Sequence, residues 1–203
     1  NLTLELMSVY KGDPLKGARV QVKGLFIKNV GGTDRIATYA SGSGTSALVF
    51  TYAIQANDTD ANGIAIAADS LALNGGTIND PAGNAATLSH VAVADNAGYK
   101  VDTTAPVVSA VAITSATGIL NSTLNAGDVV SVTVTMSEAV TVTGTPQVAL
   151  NVGGTTVYAN YASGSGTSSL VFTYTIQSGQ TDANGISIDA NSLALNGGTI
   201  SDT

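Results

Sequence analysis

The sequence predicts an all-β protein built from tandem β-sandwiches. Val130–Thr135 and Val140–Thr143 alternate apolar residues with Ser or Thr, and this period of two is typical of half-buried strands. Gly-rich segments and four Asn-Gly pairs separate such stretches, and no convincing helical period occurs. A long internal repeat indicates that one unit occurs twice. Several short strands with turns between them favour sandwiches.

The repeat joins residues 29–81 to residues 151–203 without a gap, at an offset of 122, and 39 of the 53 positions are identical. This offset is too long for a solenoid unit of roughly 20–50 residues. It suits a domain of roughly 100 residues with a short junction. We therefore predict domains at 1–101 and 107–203 and a connector at 102–106, where Pro106 favours an extended chain.

The individual elements follow from local composition. Strands are predicted where β-branched, aromatic or alternating apolar residues cluster, at Leu2–Leu6, Leu48–Tyr52, Leu88–Val93, Val107–Ile113 and Leu170–Tyr174. Leu2–Leu6 resembles the strand that starts at Val130 in the second copy. The Ser-Gly-Ser-Gly-Thr segments at 41–45 and 163–167 predict hairpin loops.

The second copy reaches Thr203, opposite Pro81, and therefore has no counterpart of the predicted strand Leu88–Val93. Two interpretations stay open. The sequence is a window of a longer tandem array, or neighbouring molecules supply the missing strand by β-augmentation and form a filament. Arg19–Lys23, which alternates polar or basic with apolar residues, is the candidate donor. The sequence starts at Asn1 without a signal peptide, which indicates a mature form or a fragment.

Composition excludes several classes of function. The formal net charge is −7 and the pI is about 4.3, which argues against nucleic-acid binding, and no Cys is present for disulfides or thiolate zinc sites. No apolar run is long enough for a membrane-spanning helix. Six of the seven basic residues lie before residue 36, so residues 1–35 form an atypical basic segment on an otherwise acidic chain.

The sequence does not predict an enzyme. His90 is the single histidine and falls in a predicted strand, where a packed or surface role is expected. Glu5 and Glu138 occupy different stations of the repeat and form no acid–base pair. Gly-x-Ser-x-Gly in a strand–helix context is absent.

Calcium is the cofactor that the residue types favour. Asp58, Asp60 and Asn62 place oxygen ligands at alternate positions before Gly63, as at the start of a calcium loop, although no later Glu completes the pattern. The second copy retains Asp182 and Asn184 and has Gln180 in place of the first Asp. The alternative is that these Asx residues form turns.

A second candidate calcium site lies near the connector. It comprises Asp80, Asn84 and Asp102, with Glu138 of the following domain as a further ligand. An ion there would stiffen the junction between the domains. The alternative is a set of solvated acidic residues beside turns.

Four segments carry a family resemblance: Asp80–Asn84, Val101–Pro106, Asn125–Asp128 and Met136–Ala139. Over about residues 36–203 the chain resembles the bacterial immunoglobulin-like repeats of giant surface adhesins. The resemblance implies tandem immunoglobulin-like Greek-key β-sandwiches that act as extenders. It also implies calcium at the junction through Asp80, Asp102 and Glu138, with Asp128 as a weaker candidate. Residues 1–35 depart from the pattern, because Met7–Asp13 replaces the Met136–Ala139 station.

The resemblance implies a secreted protein at a bacterial cell surface, with adjacent repeats or copies of itself as partners. A carbohydrate-binding adhesin module is a further hypothesis, with Tyr158 and Tyr161 as stacking residues for a surface glycan. Because Tyr161 repeats as Tyr39, a role in the sheet or core is the alternative for it. A host or abiotic surface is a further target of such an adhesin.

Overall fold

The structure is a computed structural model that describes the backbone of residues 2–6, 19–20 and 24–203 and the side chains from Val30 onward. Every regular element in those residues is a β-strand, which confirms the all-β prediction. The chain divides into two compact units, Asn1–Thr104 and Ala105–Thr203. The division falls inside the segment that we predict as the connector.

Unit 1 contains an antiparallel sheet of five strands in the order β1-β5-β4-β3-β6, and a separate pair of strands, β2 and β7. Its strands are β1 (Leu2–Leu6), β2 (Arg19–Val20), β3 (Gly24–Val30), β4 (Thr33–Ser41), β5 (Leu48–Tyr52), β6 (Leu71–Ala72) and β7 (Ile78–Asn79). The predicted strand at Leu48–Tyr52 therefore has the expected bounds.

Unit 2 contains a seven-stranded antiparallel sheet in the order β13-β10-β11-β12-β9-β14, with β8 paired to β9. Its strands are β8 (Val108–Ala116), β9 (Val129–Thr143), β10 (Gln147–Val152), β11 (Thr155–Ser163), β12 (Thr167–Thr175), β13 (Leu193–Ala194) and β14 (Thr199–Asp202). The strand predicted at Val107–Ile113 is β8, which begins one residue later and ends three residues later than predicted.

The two units share one strand arrangement. Leu6 lies opposite Leu48 in β5, and Val134 lies opposite the equivalent Leu170 in β12, so β1 takes the place of the first half of β9. This confirms the predicted likeness of Leu2–Leu6 to the Val130 strand. The pair β2–β7 likewise matches the end of β9 with β14, because Arg19 and Thr141 face equivalent residues.

The connection between these two strand segments differs between the units. Residues 7–18 join β1 to β2, whereas residues 135–140 cover the same interval inside the continuous strand β9, so unit 1 is six residues longer there. The departure at Met7–Asp13 lies outside the described residues. Of the proposed donor Arg19–Lys23, the first two residues pair with β7 of their own unit, and residues 21–23 lie outside the described residues.

The cores are built from apolar residues at alternate positions. In β5 the buried residues are Leu48, Phe50 and Tyr52, while the residues between them are half-buried. Phe50 meets Tyr39 edge to face with ring centroids 5.8 Å apart, and the equivalent Phe172 meets Tyr161 at 5.7 Å. The period-two pattern therefore buries one face of each strand, as the sequence predicts.

Two of the four Asn-Gly pairs, Asn74-Gly75 and Asn196-Gly197, form the predicted turns. Asn74 and Gly75 both have positive φ, 46° and 81°, and Gly76 N donates to Leu73 O at 2.7 Å. This is the type I′ geometry that Asn-Gly favours, because both residues tolerate the left-handed region. Asn196 and Gly197 repeat it with φ values of 48° and 77°.

The strand predicted at Leu88–Val93 is wrong. Val93 forms one isolated antiparallel pair with Ile66, and Val91 is 83% exposed. The segment meets residues 66–70 at two separated points, Ile66 with Val93 and Asp69 N with His90 O, and forms no continuous ladder there. A segment with strand-forming residues cannot form a ladder where its partner offers backbone groups only at intervals.

Candidate functional site

Asp58 lies at the centre of a buried hydrogen-bond cluster in unit 1. The residue is 1% exposed, Tyr52 Oη donates to its Oδ2 at 2.6 Å, and Gln55 N donates to the same oxygen at 2.8 Å. Arg35 Nε, in β4, donates to Oδ1 at 2.8 Å, and Arg35 Nη2 contacts the same atom. The carboxylate thereby joins β4, the end of β5 and the loop that follows it.

These contacts fix the charge of Asp58. Burial would raise its pKa, but the hydrogen bonds from Tyr52, Gln55 N and Arg35 outweigh burial and hold the pKa below its ordinary value. Burial, followed by the hydrogen bond to Asp58, raises the pKa of Tyr52. The cluster is therefore a carboxylate paired with a guanidinium and a neutral phenol.

Unit 2 builds the same cluster without charge. Gln180 replaces Asp58 and Val157 replaces Arg35, so both members of the ion pair change together. Gln180 Nε2 donates to Tyr174 Oη at 2.8 Å, and Gln177 N donates to Gln180 Oε1 at 2.8 Å. The glutamine amide takes over the position of the carboxylate where the arginine is lost.

A second carboxylate closes the next loop in both units. Asp60 Oδ2 accepts from Gly31 N at 3.0 Å, and Asp60 Oδ1 accepts from Asn62 N at 3.2 Å and Gly63 N at 2.8 Å. Asp182 repeats the set with Gly153 N, Asn184 N and Gly185 N at 2.9, 3.1 and 3.0 Å. The hydrogen bond from Gly153, followed by those from Asn184 and Gly185, lowers the pKa of Asp182 despite some desolvation.

The contacts of Asp58, Asp60, Asn62, Asp182 and Asn184 favour the turn-forming alternative. Both oxygens of each carboxylate accept hydrogen bonds from the protein, and Asp58 already faces a cation. A calcium ion would compete with these donors, because it also binds through the oxygen lone pairs of the carboxylates. The calcium prediction for this loop therefore stays a prediction without a contact in its support.

Asp80 and Asn84 form a compact turn. Asn84 N and Asn84 Nδ2 donate to the Asp80 carboxylate at 2.8 and 2.7 Å, and the side-chain bond, followed by the backbone bonds, lowers the pKa of Asp80. The amide nitrogen of Asn84, and not its oxygen, faces Asp80. The two side chains are thus arranged as donor and acceptor and not as two ligands of one ion.

The remaining predicted ligands, Asp102 and Glu138, belong to different units. Asp102 Oδ1 accepts from Thr104 N at 2.9 Å within unit 1. In unit 2, carboxylate oxygens of Glu138 and Asp202 lie within 4.8 Å of each other. Asp128 Oδ2 accepts from Asn125 N at 2.6 Å and closes a turn. Calcium at the junction stays a prediction.

The two tyrosines of the carbohydrate hypothesis have different surroundings. Tyr158 is 51% exposed on β11. Tyr161 packs against Phe172, and its Oη accepts from Ser165 N at 2.7 Å, just as Tyr39 Oη accepts from Ser43 N at 2.7 Å. Tyr161 therefore supports its hairpin loop, and Tyr158 alone presents its ring to solvent.

His90 has a structural role. Ser70 N donates to His90 Nε2 at 3.0 Å, and His90 Nδ1 lies 2.9 Å from Val91 O. His90 N also donates to Asp69 Oδ1 at 2.9 Å. These contacts agree with the packed or surface role predicted for this histidine.

Residues 85–101 of unit 1, which we call the cover segment, begin beside Ile78 and Asn79 and then lie along residues 60–70. Asp60 exchanges two backbone hydrogen bonds with Val101, at 2.6 and 3.0 Å, and Ile66 exchanges two with Val93, at 2.9 and 2.8 Å. Ile64 N donates to Tyr99 O at 3.2 Å. Ile64 and Ile66 are each 3% exposed beneath this segment.

Unit 2 has the same underlying surface, residues 182–193, which we call the acceptor groove. The sequence holds no second copy of residues 82–101, and the equivalents Ile186, Ile188 and Leu193 are only half-buried. A cavity of about 600 Å³ lies against Asp182 and Ile186, and another of about 500 Å³ lies against Ile188 and Leu193.

Sequence reasoning missed Arg35, Gln180 and Asp202 as partners. The first two carried a signal, because aligning the copies shows Arg35 and Asp58 replaced together by Val157 and Gln180. Asp202 is the equivalent of Asp80, and only the pairing of β14 with β9 brings it near Glu138.

Comparisons of the chain with family models, curated proteins and solved structures found no match in any of the three. Within the described part of the chain, no helix is long and apolar enough to cross a membrane.

Proposed function

We propose that this chain is an extracellular structural protein, whose tandem immunoglobulin-like Greek-key domains act as extender or fibre units on a bacterial surface. The observation that carries the proposal is the equivalence of the two units. Residues 36–81 and 158–203 build matching strands in the same order, with the same closing contacts at Asp60 and Asp182. A duplicated rigid unit adds length, which is the purpose of an extender.

The side-chain chemistry supports a structural role and not a catalytic one. The polar side chains that the structure brings together, Asp58, Asp60, Asp80 and His90, hold loops through hydrogen bonds to backbone and to neighbouring side chains. Each carboxylate or ring is occupied by a partner of its own unit. Loops fixed in this way resist extension, because their ends are tied to strands.

The experiment is force spectroscopy on the full chain held by its two ends. We expect two separate unfolding events, each releasing on the order of 300 Å of contour length for a unit of about 100 residues. A single event, or extension without a measurable force, contradicts an extender made of two load-bearing units.

Surface location needs its own measurement. Antibodies against this chain should label intact, unpermeabilised cells of the source organism, and external protease should remove the signal. Labelling only after permeabilisation contradicts the proposal.

A further inference from the structure

We propose that the acceptor groove of unit 2 is a binding site for an extended polypeptide segment with the chemistry of residues 85–101. The occupant is defined by unit 1, in which the cover segment lies on the equivalent surface. This inference does not rest on the proposed extender function, because it concerns the sheet edge and loops of one unit. It assigns to the molecule a site for a peptide.

The first argument is that recognition in unit 1 uses backbone groups. Ile64 N, Ile66 N and Asp69 N donate to Tyr99 O, Val93 O and His90 O at 3.2, 2.9 and 3.1 Å. These donors depend on chain geometry and not on side-chain identity. Ile186, Ile188 and Asn191 hold the equivalent positions, and within the described residues they form no such bonds to a cover.

The second argument is that the side chains contacting the cover are retained or conservatively changed. Asn62 Nδ2 donates to Asp95 Oδ2 at 3.2 Å, and Asn184 is its equivalent. Asp69 Oδ1 accepts from His90 N, and the Asn191 that replaces Asp69 offers an amide oxygen in the same place.

The third argument concerns a pair of equivalent glycines. The space beside the glycine is occupied by the cover segment in unit 1 and is open in unit 2. Gly63 has φ +100°, and a Cβ there would lie 1.8 Å from Asn96 O of the cover segment. Gly185 keeps the same conformation, φ +94°, with no atom within 4 Å of the same position. The space that a carbonyl oxygen of the occupant would fill is therefore already present beside Gly185.

Charge and apolarity define the occupant further. Unit 2 carries no Lys or Arg, so its five acidic residues disfavour an acidic segment. The cover segment balances Asp95 with Lys100. In unit 1, Ala86, Leu88 and Val101 pack on the core. In unit 2, the half-buried Ile186, Ile188 and Leu193 border the core and offer an apolar surface to the occupant.

The test adds residues 82–101 after Thr203 of the full chain, which places them in the register that follows Pro81 in unit 1. We expect amide exchange at Ile186 and Ile188 to slow by about tenfold or more, because a bound backbone exchanges only after the segment opens. Ile64 and Ile66, already covered, should be unchanged. The same extension in shuffled order is the control, and equal protection by it overturns the proposal.

A pair of variants separates binding from strain. Gly185→Ala places a methyl group in the space that the occupant's carbonyl oxygen would fill. Gly166→Ala is the matched control, because Gly166 has a similar conformation, φ +84°, and open surroundings but lies in the β11–β12 loop. We expect Gly185→Ala to abolish the protection and Gly166→Ala to retain it. Loss in both, or in neither, contradicts the groove as the site.

The segment can also be supplied in trans. A labelled peptide of residues 85–101 added to the unextended full chain should perturb the amide signals of residues 182–193 and leave those of residues 60–71 unchanged. Binding to neither, or to both alike, overturns the proposal. If copies of the chain exchange their own cover segments, sedimentation shows concentration-dependent oligomers that excess peptide dissociates, which also supports the groove as an acceptor.

Discussion

Asp58 is a buried carboxylate that the fold keeps charged. It lies 1% exposed beside Arg35 and Tyr52, and its counterpart in unit 2 is an uncharged amide in the same position. A carboxylate and a glutamine can thus close the same loop, provided that the residue on β4 or β11 matches. At this point of the fold, stability therefore depends on the pair of residues and not on either residue alone.

We predict that Asp58→Gln alone destabilises unit 1 by about 1–3 kcal/mol, because it leaves the donors of Arg35 without their charged acceptor. The double variant Arg35→Val with Asp58→Gln recreates the unit 2 pair and should recover part of that loss. Amide exchange in β4 and β5 measures the stability of unit 1. Equal destabilisation in the single and double variants would show that the two positions are not coupled.

Acid should weaken this cluster. The folded-state pKa of Asp58 lies below its unfolded value, so its stabilising contribution is full above about pH 4 and is lost as the pH falls through the folded-state pKa. We expect the Arg35→Val, Asp58→Gln variant to lose less stability than the wild type between about pH 5 and pH 2. Urea unfolding monitored at β5 amides measures this, and parallel acid profiles would contradict it.

At the scale of the element, the loops between strands are as tightly specified as the strands. Gly153, at the β10–β11 turn, has φ +55°, and a Cβ there would lie 1.9 Å from Thr181 O. The same turn carries Gly154, with φ +85° and nothing within 4 Å. Neighbouring glycines therefore serve different needs, one a close approach of two backbones and the other a turn conformation alone.

We predict that Gly154→Ala costs unit 2 about 1 kcal/mol, because only the left-handed conformation is strained. Gly153→Ala should cost clearly more, because it adds a clash with backbone that also breaks the bond from Gly153 N to Asp182. Urea unfolding monitored at β10 and β11 compares the two. Equal costs would show that the loop at Thr181 moves away freely.

The sequence predicts strands and turns well where neighbouring residues alone determine which side chains are buried and which backbone conformations are allowed. Leu48–Tyr52 alternates and is a strand, and the Asn-Gly turns follow from the conformational freedom of those residues. The apolar-rich segment Leu88–Val93 is not a strand, because its partner offers bonds only at intervals. Pairing over a distance, as in Glu138 beside Asp202, leaves no local trace in the sequence.

At the scale of the whole molecule, the two units have separate cores. Phe50 lies in one buried cluster and Phe172 in the other, and each cluster is formed by residues of its own unit. We predict that Phe50→Leu lowers the stability of unit 1, read from β5 amides, by about 1–2 kcal/mol and leaves β12 amides unchanged. A matched Phe172→Leu should do the reverse. Loss in both units from either change would contradict independent folding.

Calcium is a property to test on the full chain. The resemblance implies ligands that include Glu138, so EDTA should lower the unfolding temperature, because a ligand of the folded state stabilises it by mass action. Glu138→Gln should remove this response, and the Arg35→Val, Asp58→Gln variant should keep it, because Asp58 is occupied by protein donors. An unchanged unfolding temperature in EDTA would contradict calcium binding.

The exchange of Arg35 and Asp58 for Val157 and Gln180 also bears on misassembly. Two neighbouring domains with 39 of 53 positions identical are at risk of swapping strands while they fold. A hybrid that joined β11 to the loop of unit 1 would bury the Asp58 carboxylate beside Val157, and the reverse hybrid would bring Arg35 to an uncharged Gln180. Because an unpaired buried carboxylate is costly, the diverged pair penalises the first hybrid, whereas in the second the partly exposed Arg35 only loses its partner.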